Sequence, residues 1–254
     1  MRGIAKMWRV ALTMWAMLSM LLLTKAYAAP DGGSDAETST GNPFVVTGPG
    51  GARSISLPIE NGDHPTILFG GLIFDESGKL LMVEAVSALM NPEIKELTIL
   101  IESPGGSTDP ALIAGAAIAE MRGTKKVRCV VLKNGVASSA FYLLQKACTE
   151  RIMVSRANLI THKIVTRLTA GDFSAQMLIE MAKEQEEIQN QFDMVISKRL
   201  HLPLDVYKAK IAKKDWVMTP AEAIETGAID KVVKKLSEVP NIPKNISDIE
   251  DSRP

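Results

Sequence analysis

The 254 residues can bury one sizeable core and a small appendage but not two full domains. With 29 basic and 29 acidic residues and no Lys/Arg block interleaved with aromatics, nothing favours nucleic acid as a partner. Two cysteines (Cys129, Cys148) and three scattered histidines (His64, His162, His201) make a poor metal site, and there is no Cys-x-x-Cys redox pair.

The first segment, MRGIAKMWRVALTMWAMLSMLLLTKAYAAP, has a basic start (Arg2, Lys6, Arg9), an uncharged stretch from Val10 to Thr24, and the small-x-small triplet Ala26-Tyr27-Ala28. That is the layout of a secretory signal peptide over residues 1–28; an uncleaved membrane anchor is the alternative, although the uncharged run is short for the roughly 20 residues of a spanning helix. Without those residues 25 bases face 29 acids, a mildly acidic body. Export to a periplasmic or secreted location makes a Cys129–Cys148 disulfide chemically permissible, with two buried thiols as the other reading.

Residues 29–54 are rich in Gly, Ser, Thr and Pro and read as a flexible linker, with a short strand over Phe44 to Thr47. The folded body is expected over 55–236, followed by a loose polar tail, 237–254. Within the body, strand-like and helix-like segments alternate. Short strands are predicted at Ser54–Pro58 and Thr66–Phe69, a helix at Lys79–Leu89, a central strand at Glu96–Glu102, and an alanine-rich helix at Pro110–Met121. A strand at Lys126–Leu132, a helix from about Ser138, strands near Arg151–Val154 and Asn158–Thr161, and a long helix from about Phe173 to Arg199 follow. Asp172 is expected to cap that helix. Shorter helices over Pro203–Ile211 and Thr219–Thr226 and a closing strand at Ile229–Val233 complete the order. Such alternation calls for an α/β body with a largely parallel sheet, and ligands of such sheets bind at the carboxyl ends of the strands.

Two loops lie at such ends: Ser103 to Thr108, and Lys133 to Ser138. Gly105-Gly106 serves a strand-to-helix turn, or brings unhindered backbone N–H groups to an oxyanion or an extended peptide. Neither G-x-G-x-x-G nor a following Gly-Lys-Ser/Thr is present, so no dinucleotide, ATP or other cofactor is expected. In Gly135-Val136-Ala137-Ser138-Ser139-Ala140, Ser138 could cap a helix while Ser139 projects from its first turn beside the Ala140 N–H. A nucleophilic serine needs a base and an orienting acid. His162, at the end of a predicted strand, is the strongest candidate for the base, with a solvated loop histidine beside Lys163 as the other reading; Asp215, in KKDWVMTPAEA, is the candidate acid or a surface carboxylate paired to Lys213 or Lys214.

In this order, ILIESPGGS (Ile99 to Ser107), NGVASSA (Asn134 to Ala140), ANLITHK (Ala157 to Lys163) and DWVMTPAEAIETGAIDKVV (Asp215 to Val233) resemble the Clp-type proteolytic subunits of the ClpP/crotonase superfamily. The resemblance implies an α/β ClpP/crotonase-like fold with repeated β-β-α units and a long handle-like helix. It places the nucleophile on Ser139, the base on His162 and the acid on Asp215, with oxyanion-binding N–H groups among Gly105, Gly106, Ser107 and Ala140. The implied activity is serine endopeptidase chemistry through an acyl-enzyme, on peptide or unfolded protein, by a homo-oligomer. A cytoplasmic ATP-driven unfoldase is not expected to accompany it, because an exported compartment lacks ATP. An inactive scaffold or peptide-binding protein is the alternative, and a crotonase-like acyl-CoA hydratase or isomerase a more distant one. After His162 the chain departs from the family's Gln-Pro and glycine-rich segment: Lys163-Ile164-Val165-Thr166 follows instead.

Overall fold

The computed structural model describes residues 45–48, 53–59, 63–166, 168 and 171–252. The expected export segment, residues 1–28, and most of the expected linker lie outside the described residues.

Three strands open the described chain: β1 (Val45–Thr47), β2 (Arg53–Ile59) and β3 (Thr66–Gly71). β1 falls on the short strand expected at Phe44 to Thr47 within the linker span, and β2 begins inside that span as well. The chain then alternates: α1 (Asp75–Met90), β4 (Glu96–Ser103), α2 (Thr108–Met121), β5 (Lys126–Ala137), α3 (Ser139–Ala147), β6 (Glu150–Val154) and β7 (Leu159–Thr161). The long helix α4 (Ala175–Arg199), α5 (Leu204–Ile211), β8 (Trp216–Met218), α6 (Pro220–Glu225) and β9 (Lys231–Val233) follow. β1, β2 and β3 pair antiparallel, and β3, β4, β5, β6 and β9 run parallel in that order.

β4 is apolar without alternation because both of its faces are covered: Leu97, Ile99, Leu100 and Ile101 are all buried. Each such side chain contributes about 1.5–3 kcal/mol by leaving water. α1 and α2 pack on this sheet through Leu81, Ala85, Leu89, Ala111, Ala114 and Ile118. Small residues let the helices approach, since a Cβ at Gly78 would lie 2.6 Å from Pro110 Cβ.

β5 departs from a simple strand. Ile101 faces Val131, but Ser103 faces Val136, so residues 132–135 bulge out of the ladder. Before the bulge β5 pairs with β6; after it, Val136 and Ala137 pair with Leu159 and Ile160 of β7. The stretch Lys133 to Ala137, expected as a loop, therefore remains strand. Gly135 makes the bulge possible: its φ is +80° and an added Cβ would lie 2.1 Å from Asn158 O.

Asp172 is not the cap of α4. Ser174 is, accepting from Met177 N at 3.2 Å. The segment after 236 is not a loose tail either. A 3₁₀ turn (Leu236–Glu238) and a helix α7 (Lys244–Ser252) are joined by Asp251, whose carboxylate accepts from the N–H of Leu236 and from the Ser237 hydroxyl. Arg128, buried on β5, donates to Pro240 O at 3.2 Å, so the segment lies along β5.

Cys129 on β5 and Cys148 just after α3 form a disulfide, with Cα atoms 5.8 Å apart and both residues buried. It ties the far end of α3 to the central sheet.

Candidate active site

Ser139 is the first residue of α3 and is buried. It is delivered there by a strained residue: Ser138 has φ +57° and ψ −128°, a region costly for any residue with a Cβ. Ser138 supports the helix through its backbone. Its carbonyl accepts from Phe141 and Tyr142, its N–H donates to Ile160 O at 2.9 Å, and its side chain makes no capping bond. The reading of its hydroxyl as a cap is therefore corrected.

Gly105 lies against this bend. A Cβ there would sit 2.7 Å from both Ala137 O and Ser138 Cβ, so only glycine allows the two turns to touch. The four candidate N–H donors then separate. Gly105 N–H donates to Ser103 Oγ at 3.1 Å, and Ser107 N–H to Ile73 O at 2.8 Å. Gly106 bridges Ile73 without using its own N–H, because the bonds run from Ile73 N to Gly105 O and from Ser107 N to Ile73 O. Ala140 is in the first turn of α3, where N–H groups have no partner within the helix. Gly106 and Ala140 are thus the pair that can receive an oxyanion beside Ser139.

His162 follows the last residue of β7 and Asp215 precedes the first residue of β8. These strands are antiparallel with Thr161 opposite Trp216, so the next step of the register sets His162 opposite Asp215. Since β7 also pairs with the end of β5, one small ladder brings the three side-chain positions to one edge.

Among the described residues, the three share no hydrogen bond. Ser139 Oγ donates to Gly106 O at 3.2 Å. His162 Nδ1 lies 2.6 Å from Lys163 O. A carbonyl only accepts, so Nδ1 is the donor of this bond, and in the neutral ring that leaves the lone pair on Nε2, the tautomer that a general base requires. Asp215 is exposed and, among the described residues, pairs with neither Lys213 nor Lys214.

Among the described residues after His162, Lys163 to Thr166 form no strand. Ile164 N donates to Gln189 Oε1 at 2.7 Å and Ile164 O accepts from Gln185 Nε2 at 2.8 Å, both from α4. The two glutamine side chains thus satisfy both backbone groups of Ile164. Beside this clamp opens a groove of ≈ 530 Å³ between α4 and α5, lined by Ile164, Gln185, Gln189, Asp193, Lys208 and Ile211 among others. Burial raises the pKa of Asp193 against the opposing effects of the Gln189 hydrogen bond and the Lys208 and Lys163 charges. None of these polar residues carried a local signal in the sequence.

A family model for Clp protease matches residues 63–236. The chain belongs to the Clp protease family. Its mixed α/β fold with a 25-residue helix α4 agrees with that membership, and the protein is a serine-type endopeptidase acting on peptide substrates. The matched span begins just before β3 and ends where the 3₁₀ turn starts, so it contains every residue of the candidate site and leaves α7 outside.

Proposed function

We propose that this Clp-family peptidase cleaves peptide bonds through an acyl-enzyme formed on Ser139, with His162 as base and Asp215 as its acidic partner. The observation that carries this reading is the β5-β7-β8 ladder, whose register directs the three positions to one edge. Nε2 of His162 takes the Ser139 proton as Oγ attacks the scissile carbonyl, and the Gly106 and Ala140 N–H groups receive the oxygen. The proton then passes to the leaving amine, and a water activated by the same imidazole releases the acyl group. The Ser139 hydroxyl must first leave Gly106 O. Substrate residues beside the cleaved bond extend into the groove between α4 and α5.

The mature enzyme works outside the cytoplasm, periplasmic or secreted. The basic, apolar and small-residue order of residues 1–28 supports this, and the Cys129–Cys148 bond suits an oxidising compartment. It assembles as a homo-oligomer through α4, whose first turns expose Met177, Leu178 and Ile179.

A fluorophosphonate probe tests the mechanism directly. The purified full chain should be labelled once, on Ser139, and a folded Ser139→Ala variant should resist labelling and lose peptidase activity. Labelling of that variant at the wild-type rate would remove Ser139 from the mechanism.

A further inference from the structure

Tyr207 is among the largest fully buried side chains, yet it lies on α5, outside the ladder that carries the site. Its hydroxyl is 2.7 Å from Thr161 Oγ1, and Thr161 immediately precedes the base His162. Its ring meets that of Trp216 at 6.4 Å between centroids and 51° between planes, and Trp216 immediately follows the acid Asp215. Thr161 and Trp216 face each other as the last pair of the β7–β8 ladder. One side chain therefore holds both members of the pair from which base and acid project.

The ladder needs such a hold. It has three pairs of residues, and a ribbon of that length is marginal on its own. At its other end β7 is secured to β5, but beyond Thr161 and Trp216 no ladder bond restrains His162 or Asp215. α5 grips Trp216 a second time, one turn on, with Lys210 Nζ 4.2 Å from the ring centroid. Trp216 Nε1 donates to Glu222 Oε1 at 2.7 Å, which ties the same residue to α6. Burial pushes the Tyr207 phenol well above its usual range, so its hydroxyl stays protonated wherever a peptidase operates.

We propose that Tyr207 is a positioning residue for the peptidase reaction: through Thr161 and Trp216 it sets the separation and angle of His162 and Asp215. The inference rests on the triad reading above. A shift of about 1 Å at a catalytic group can cost up to about 10²-fold, whereas deleting one partner of this buried hydrogen bond lowers Tm without by itself changing the rate of a folded enzyme. The expected signature is thus a fall in kcat in a protein that remains folded.

Tyr207→Phe keeps the ring and deletes the hydroxyl; Thr161→Val removes the partner from the other side. Each should lower kcat and the fluorophosphonate labelling rate about tenfold or more, with KM within about twofold of wild type. The double variant should be no worse than either single one, and Thr161→Ser, which retains the hydroxyl, should restore the rate. Assays run well below every melting temperature keep stability apart from rate. If Tyr207→Phe does not fold, Thr161→Val and Thr161→Ser decide alone. Wild-type kcat in folded Tyr207→Phe and Thr161→Val, losses that multiply in the double variant, or a loss confined to KM would each overturn the proposal. His162→Ala and Asp215→Ala belong in the same panel: if they label normally the triad reading fails, and if they are strongly slowed while both hydroxyl deletions are fully active, only the positioning role fails.

Discussion

Opening the Cys129–Cys148 bond should cost about 3 kcal/mol of stability. The two cysteines are separated by 19 positions, and the loop-closure entropy removed from the unfolded chain by a cross-link of that span gives this figure in the chain-entropy account. For a domain of this size about 1 kcal/mol shifts Tm by about 2–4 °C, so the expected drop is about 6–12 °C. Both cysteines are 2% exposed, and reductant will reach the bond slowly in the native state. The protein should therefore be unfolded in denaturant, reduced, and refolded with reductant present before its melt is compared with the oxidised form by circular dichroism. Reduction in place of substitution removes no heavy atom from the core, which keeps a cavity cost out of the comparison. A reduced protein, verified by two titratable thiols, that melts within about 2 °C of the oxidised one would refute the cross-link's role. Two thiols found in the denatured protein before any reduction would refute the bond itself.

The Arg151–Asp230 pair should make stability depend on acid pH. Burial opposes ionisation of Asp230, but hydrogen bonds and charge from Arg151 outweigh it and lower the carboxyl below its ordinary 3.8. The contribution is then complete above 3.8 and is lost as pH falls through the lower folded value. Asp230→Asn should cost about 1–3 kcal/mol at neutral pH, less than a fully buried pair because Asp230 is 42% exposed, and the Tm gap to wild type should close in acid; a gap independent of pH counts against the ion pair. Asp215→Asn should lower kcat by about 10², well short of the about 10⁴ seen when an amide leaves the imidazole in the wrong tautomer, because Lys163 O already holds the Nδ1 proton. A full 10⁴-fold loss in steady-state peptide hydrolysis would mean that Lys163 O does not serve this purpose in turnover.

Much of the body could be read from periodicity. The central strand came out one residue longer than Glu96–Glu102, because its apolar run is buried throughout, and the long helix began two residues after Phe173, although only its second half, around Phe192 and Ile196, is buried. β8 escaped because WVM alternates over only three residues, and its existence depends on pairing with β7. α7 escaped because its sequence is polar; Asp251 and Glu250 anchor it through backbone N–H groups distant in sequence. At the site, Ser139, His162 and Asp215 could be named from motif order, but their orientation could not. The clamp of Gln185 and Gln189 on Ile164 and the Thr161–Tyr207 contact join segments whose separation no local pattern encodes, and the bond from His162 to Lys163 O depends on a side-chain rotamer that sequence does not show.

The bulge in β5 connects these outcomes. Across it β5 changes partner: Arg128 to Val131 pair with β6, whereas Val136 and Ala137 pair with β7 and Ser138 N donates to Ile160 O, so Ser139 starts α3 beside β7. A bulge leaves N–H groups outside the ladder, and such groups are costly to leave unpaired wherever water is excluded. Carboxylates from two directions take them: Glu102 accepts from Asn134 N at 3.2 Å and from its side-chain amide at 2.6 Å, and Glu250 accepts from Lys133 N at 3.1 Å. Glu102 lies on β4 within the family span, whereas Glu250 lies on α7 beyond it. The carboxyl-terminal segment thus supports the strand that leads to Ser139: by fixing Lys133 it fixes the point from which Gly135 turns the chain.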